Sequence, residues 1–307
     1  MTLLNYTNKD FSKVYEDYYN NEAILYEIVK SLAGRETTFM GMAREGFKEY
    51  VWRCIKAHNL DFLKQNFQAF NFMSRYYNIY ESVALLRNMP MFTFSMSQRM
   101  EQQKVFNENF MNYVTGFDWV IDFDGDKVTD KNLYAFDGNA LWLEVKCVKH
   151  LFDTHGVPYT LKTSSNNGFH IVVADKYLMG GLQEKLQFGM SLTKEIKNLF
   201  ALETPDLNIY NFRRIWKVPY SLDIKSGAVA LPLSDEQFEE LKTNPDLISP
   251  ENVFSMKIQN RGLLERPFNY NKFITLLKDI EREDLVKNIF NTNFSPSMHE
   301  QKTVSVT

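Results

Sequence analysis

The stretch Trp119-Val120-Ile121-Asp122-Phe123-Asp124-Gly125-Asp126 decides the fold. Trp119, Ile121 and Phe123 alternate with Val120, Asp122 and Asp124, and the side chains of a strand alternate between its two faces. One face is therefore apolar and seeks a core. Asp122 and Asp124 leave together on the other, and Gly125 with Asp126 ends the run. Two carboxylates held this close repel each other, and a divalent cation removes the repulsion; hard oxygen ligands suit magnesium or manganese. The same residues also describe a solvated strand end that closes in a turn.

Downstream, the pattern predicts a strand over 159–163, a tight turn at Ser165-Asn166-Asn167-Gly168, and a second strand over 169–173. Asn-Gly supplies the positive φ angles such a turn needs. His170 opens the second strand, directly after small hydroxyls and backbone N–H groups that can receive phosphate oxygens. Alone, this is also an ordinary hairpin with a half-buried histidine. Helical spacing of apolar residues dominates the first 80 residues, including Val51, Ile55, Leu60, Leu63 and Phe67, with short strand candidates at 35–39 and 78–86. Further helices are expected near 98–113, 131–151, 177–200, 235–242 and 270–290, and short strands over 215–233 around Pro219 and Gly227. Strands in the middle, helices at both ends and no regular alternation give an α+β (mixed α/β) class, with a small central sheet flanked by helices.

At 44% hydrophobic and 24% charged, the 307-residue chain can bury a substantial core. No Pro/Gly/Ser-rich linker divides it, so one catalytic domain is expected over 1–290, with a helical part from 234 and a flexible tail at 291–307. No apolar run approaches the roughly 20 residues that cross a bilayer, and the first ten residues are polar; a soluble, cytoplasmic protein without a membrane partner is expected. Cys54 and Cys147 alone cannot build a disulfide framework or an all-cysteine zinc site. With 35 basic against 38 acidic residues, any polyanion site must be local. Arg213, Arg214, Lys217 and Lys225, facing the single acid Asp223, are the candidate.

In order, the chain carries Val120-Ile121-Asp122-Phe123-Asp124, then Ser164 to Val173, then Lys217-Val218-Pro219-Tyr220-Ser221-Leu222-Asp223-Ile224-Lys225-Ser226-Gly227. This set resembles the archaeo-eukaryotic primase superfamily, with its paired-aspartate first motif, Ser-to-His second motif and third acid upstream of a Pro-x-Ser-Leu-x-x-Lys-Thr-Gly-like segment. Tyr18-Tyr19 and Arg35-Glu36-Thr37-Thr38-Phe39 resemble the family's early elements, so the likeness runs from about Tyr15 to Leu233. Each piece is generic; their order is what is specific.

The resemblance implies a DNA primase catalytic subunit, a nucleotidyltransferase making short RNA or DNA primers from nucleoside triphosphates on single-stranded DNA, with a possible large-subunit partner. It implies that Asp122, Asp124 and Asp206 hold two divalent cations, Mg2+ or Mn2+. Asp223 is the alternative to Asp206 as third acid. Ser164, Ser165, Asn167 and His170 would contact the triphosphate, with Arg35, Lys217, Ser221 and Lys225 beside them. The alternatives are a primase-polymerase or gap-filling polymerase that extends existing primers, and a non-catalytic nucleic-acid-binding subunit. Asn166 and Asn167 stand where many relatives carry basic residues. Cys147, His150 and His155 lack an obvious fourth zinc ligand beyond Asp153, and no zinc is expected.

Overall fold

A computed structural model describes residues 8–41, 50–55, 57, 59–70, 76–90, 92, 96–125, 140–165, 168–178, 180–256 and 275–276. The first two helices, α1 (Asn8–Asn20) and α2 (Glu22–Leu32), form a tight pair. Asn21 caps α2 by accepting the N–H groups of Ala23 and Ile24, and Ile24, Leu25, Ile28 and Leu32 give it one buried stripe. Then come β1 (Thr37–Gly41), β2 (Tyr50–Ile55), α3 (Leu60–Phe70), β3 (Tyr77–Ser82) and, later, β9 (Ile215–Lys217). The four strands make an antiparallel sheet in the order β2-β1-β3-β9.

A second antiparallel sheet, ordered β10-β7-β8-β6, is built from β6 (Trp119–Asp124), β7 (Thr160–Thr163), β8 (Gly168–Val173) and β10 (Pro232–Leu233). Trp119, Ile121 and Phe123 are buried as their alternation requires. They pack on α5 (Ala140–Thr154) and α6 (Leu182–Leu199) through Leu141, Val145, Val148, Phe152, Phe188 and Leu192. α1 to α3 likewise cover Phe39, Tyr77 and Ile79 of the first sheet. Helices thus back each sheet from outside, and a cleft opens between the inner faces.

A ribbon of β4 (Ala84–Leu86) and β5 (Val114–Phe117), under α4 (Met96–Glu108), forms a second core with Phe106, Phe110, Val120 and Val172. α7 (Asp235–Leu241) and α8 (Pro250–Ser255) finish the described chain, each capped by a serine side chain, Ser234 and Ser249. Among the described residues, no helix is long and apolar enough to cross a membrane.

The α+β class stands, with two four-stranded sheets and a two-stranded ribbon among the described residues where one small sheet was expected. Residues 50–55, read as helical, form a strand: Val51 and Ile55 fall at helical spacing, but β1 offers a complete backbone ladder that overrides it. The helix expected from 177 begins at Leu182, because Gly180, at φ 94°, and Gly181 break the chain first. Of the helix expected over 131–151, the part before Ala140 lies outside the described residues, as do Asn166, Asn167, nearly all of 270–290 and the tail.

A Cβ on Gly189 of α6 would lie 2.7 Å from Cδ1 of Trp119, so that glycine is what lets the helix settle on β6. Gly189→Val is expected to lower unfolding stability by about 1–3 kcal/mol in urea titration. An unchanged midpoint and slope would mean that α6 does not rest there.

Candidate active site

The β6–β8 register carries the site. Asp122 pairs with His170 and Asp124 with Gly168, while β7 sets Lys162 across from His170. All of these share one face of the sheet, the one turned away from α5 and α6. Gly168 is required there: a Cβ would meet the Phe123 carbonyl oxygen at 2.1 Å.

A further segment extends this face without forming a regular strand. Pro205 bridges Phe123, the Asp124 N–H donates to the Thr204 carbonyl at 3.1 Å, and the Asp206 N–H donates to the Asp122 carbonyl at 2.8 Å. Asp206 is therefore set beside Asp122. Its Oδ1 accepts the Asn208 N–H at 3.1 Å, capping a short turn.

The cleft, about 280 Å³ in volume, is lined on one wall by Asp122, Asp124, Ser164, Gly168 and His170. Asn78, Tyr80, Arg214, Lys217 and Lys225 line the other. His170 Nε2 stands 3.3 Å from Asp122 Oδ1, and Arg214 Nη2 stands 3.4 Å from Oδ2. Burial works against the Asp122 carboxylate, but His170 and then Arg214 outweigh it and hold its pKa below the ordinary value. For His170, burial first and Lys162 second push the pKa below 6.5, against the upward pull of Asp122. The ring is neutral at pH 7 and contributes stability above pH 6.5 that is lost as the pH falls.

Lys217 is buried and paired with Asp223, whose Oδ1 also accepts the N–H groups of Lys225 and Ser226 at 2.8 and 2.7 Å. Lys162 donates to the Lys217 carbonyl and ties the two walls together. Asp223 is thus engaged within its own turn, whereas Asp206 lies next to the paired aspartates.

Several expected site residues lie elsewhere. Arg35 is buried away from the cleft: Nη2 meets Asp118 at 2.5 Å and Nη1 donates to the Ser82 and Val83 carbonyls at 2.8 and 3.2 Å. Burial opposes its charge, and Asp118 and Glu81 more than restore it. Arg35 therefore ties the start of β1 to the segments that flank the ribbon, and it does not line the cleft. Ser165 and Ser221 are fully buried, their hydroxyls donated to the carbonyls of Ser164 and Val218 at 2.5 and 2.7 Å. The Ser164 N–H, expected to serve an anion, closes the hairpin onto the Gly168 carbonyl at 2.8 Å. Asn167 lies outside the described residues. Asp206 does not line the cleft itself.

Arg214 is the residue that sequence reasoning underused. The basic run 213–225 flagged it, but only the β3–β9 pairing brings its side chain to Asp122.

Among the described residues, no three His, Cys, Asp or Glu side chains stand close enough together to hold one ion. The donor chemistry nevertheless fits a hard divalent cation, because Asp122 and Asp124 present carboxylates from one face with Asp206 beside them. To take an ion, these carboxylates must turn from His170, Arg214 and Asn208.

No protein-family model and no curated protein matches the chain. Among solved structures it is similar to the polymerase domain of Ligase D from Mycobacterium tuberculosis in complex with DNA, with TM-score 0.46 and 13% identity over 95% of this chain and 99% of that one. It is also similar to the AEP domain of the cyanophage S-2L primase-polymerase, with TM-score 0.36 and 11% identity over 72% of this chain and 97% of that one. Both scores fall below 0.5, so any reading of function rests on the cleft's own residues.

Arg35→Ala is expected to cost about 3–5 kcal/mol of unfolding stability by stranding Asp118. A variant that folds with unchanged stability but binds anions poorly would return Arg35 to the site. In metal-free protein, an NMR titration of the His170 ring should give a midpoint below 6.5, lower still in Asp122→Asn, which removes the anion that raises it. A midpoint at or above 6.5 would contradict the burial and the Lys162 contact.

Proposed function

We propose that this cleft binds a nucleoside triphosphate and transfers its nucleotidyl group to a nucleic-acid 3′-hydroxyl, copying a single-stranded DNA template as the primase superfamily it resembles does. The observation that carries the reading is the meeting of two opposite chemistries in one cleft. Acids for a cation stand on one wall, at Asp122 and Asp124, and cations for a polyphosphate stand on the other, at Arg214 and Lys225.

Asp122, Asp124 and Asp206 would hold magnesium or manganese, which when bound lowers the pKa of the attacking hydroxyl and neutralises departing pyrophosphate. The remaining roles follow from the side chains. When Asp122 turns toward a cation, it releases Arg214, whose planar fork then suits two phosphate oxygens. It also releases His170 Nε2–H, which donates to a phosphate oxygen as a neutral group. His170 is thus a clamp and not a base: the proton of the attacking hydroxyl, made more acidic by the cation, passes to water. Ser164 and Lys225 extend the grip along the same hairpin and turn. Lys217, already paired with Asp223, adds field more than a direct contact.

Labelled ribo- and deoxyribonucleotides, supplied with unprimed or primed single-stranded DNA and with Mg2+ or Mn2+, test this. Incorporation is expected, and Asp122→Asn with Asp124→Asn should lower it by about 10³-fold or more while circular dichroism stays unchanged. Product on unprimed template assigns primer synthesis, with any partner subunit recognised by its stimulation of initiation. Product only on primed template assigns the extending polymerase. Binding of template without turnover in the wild-type protein assigns the non-catalytic subunit. Undiminished incorporation by the double variant would refute the site.

A further inference from the structure

We propose that Glu144 of α5 is a positioning residue for Asp206, acting with Lys197 of α6; the inference rests on the reading of Asp206 as the third acid. The segment 203–206 makes only one isolated bridge to β6, yet its backbone is almost fully bonded. Glu144 accepts the Glu203 N–H on Oε1 at 2.7 Å, and on Oε2 the Thr204 N–H at 2.9 Å and the Thr204 hydroxyl at 2.5 Å. Lys197 Nζ donates to the carbonyls of Glu203 and Pro205 at 2.7 and 3.1 Å. Of the groups that remain, the Thr204 carbonyl and the Asp206 N–H pair with β6.

One carboxylate and one ammonium, each from a packed helix, thus grip both polar edges of a segment that has no ladder of its own. Charged partners make such bonds shorter and roughly twice as strong as neutral ones. Two hydrogen bonds to β6 would not by themselves fix the direction of Asp206, because a single bridge leaves the chain free to twist about it. Thr204, fully buried, is the pin: its backbone and its side chain hold the same carboxylate. Glu144 is absent from the cleft lining, so it reaches the chemistry only through the segment it grips, which bonds to the backbones of Asp122 and Asp124 and carries Asp206. It sits where an outer-shell residue sits behind a metal ligand, and losing such a residue commonly costs 10–100-fold in metal affinity.

The test compares wild-type full-length protein with Glu144→Ala, Glu144→Gln, Lys197→Met, Asp206→Asn and the Glu144→Ala/Asp206→Asn pair. Mn2+ binding is read by electron paramagnetic resonance without nucleotide, together with hydrogen exchange over 200–210 and the split between kcat and nucleotide KM. Glu144→Ala is expected to weaken Mn2+ binding about 10–100-fold and to speed exchange over 200–210, leaving KM at saturating Mn2+ within about 3-fold. Glu144→Gln, which keeps one acceptor oxygen, should recover part of the affinity. The paired variant should be no weaker than Asp206→Asn alone. If Glu144→Ala fails to fold, Lys197→Met and Glu144→Gln carry the same expectation in smaller measure. Mn2+ binding unchanged in all three, or losses that add to that of Asp206→Asn, would overturn the proposal. If Asp206→Asn binds Mn2+ as the wild type does, the reading of Asp206 as a ligand fails instead, whatever the exchange data show of the grip.

Discussion

The antiparallel pairing of β6 with β8 is the constraint on which the rest depends. Because side chains alternate along a strand, a slip of one residue would send Asp122, Asp124 and His170 into the helical core and turn Trp119 and Phe123 toward the cleft. Apolar burial forbids that slip. Trp119, Ile121 and Phe123 on the buried face, with Phe152 and Phe188 against Trp119, bind the register to the packing of α5 and α6, so stability and chemistry are set by one choice. Gly168 completes the arrangement by letting the hairpin close on Phe123, where any side chain would strike backbone.

Around this pairing the charges fall into two groups with different duties. One holds the fold: Arg35 with Asp118 and Glu81, buried, and Lys185 with Asp175, 2.7 Å away and half-buried, hold the ribbon, β6 and α6 together. The other faces the cleft, where Asp122 is shared between His170 and Arg214 and Lys217 is matched to Asp223. Arg214 and Lys217 thus each have a protein anion to leave, or to share, when a polyphosphate arrives. An exchange of partners inside a preformed cleft costs less than bringing bare charges together.

Much of this could be read from the amino-acid order. The Trp119 to Asp124 alternation, the two strands β7 and β8 and the amphipathic spacing of α2, α5 and α6 are local signals, and local signals survive folding. What could not be read was long-range. Nothing near Val51 says that β1 will recruit it into a sheet. Arg35 is a cation in a motif-like setting, but its burial depends on Asp118, 83 residues away. Arg214 looked like one charge among several until β9 paired with β3. The sequence offered Asp206 and Asp223 alike as third acid; the contacts of Asp223 with Lys217 and its own turn, and the bridge that sets the Asp206 segment against β6, have no sequence period.

The two walls of the cleft belong to separate sheets that share no strand. No backbone ladder therefore fixes the gap between them; side-chain spans do, chiefly Lys162 reaching the Lys217 carbonyl and Arg214 reaching Asp122. Charges that span such a mouth feel ionic strength and any anion laid across it, while behind them each sheet keeps its own hydrogen bonds and both share one apolar core.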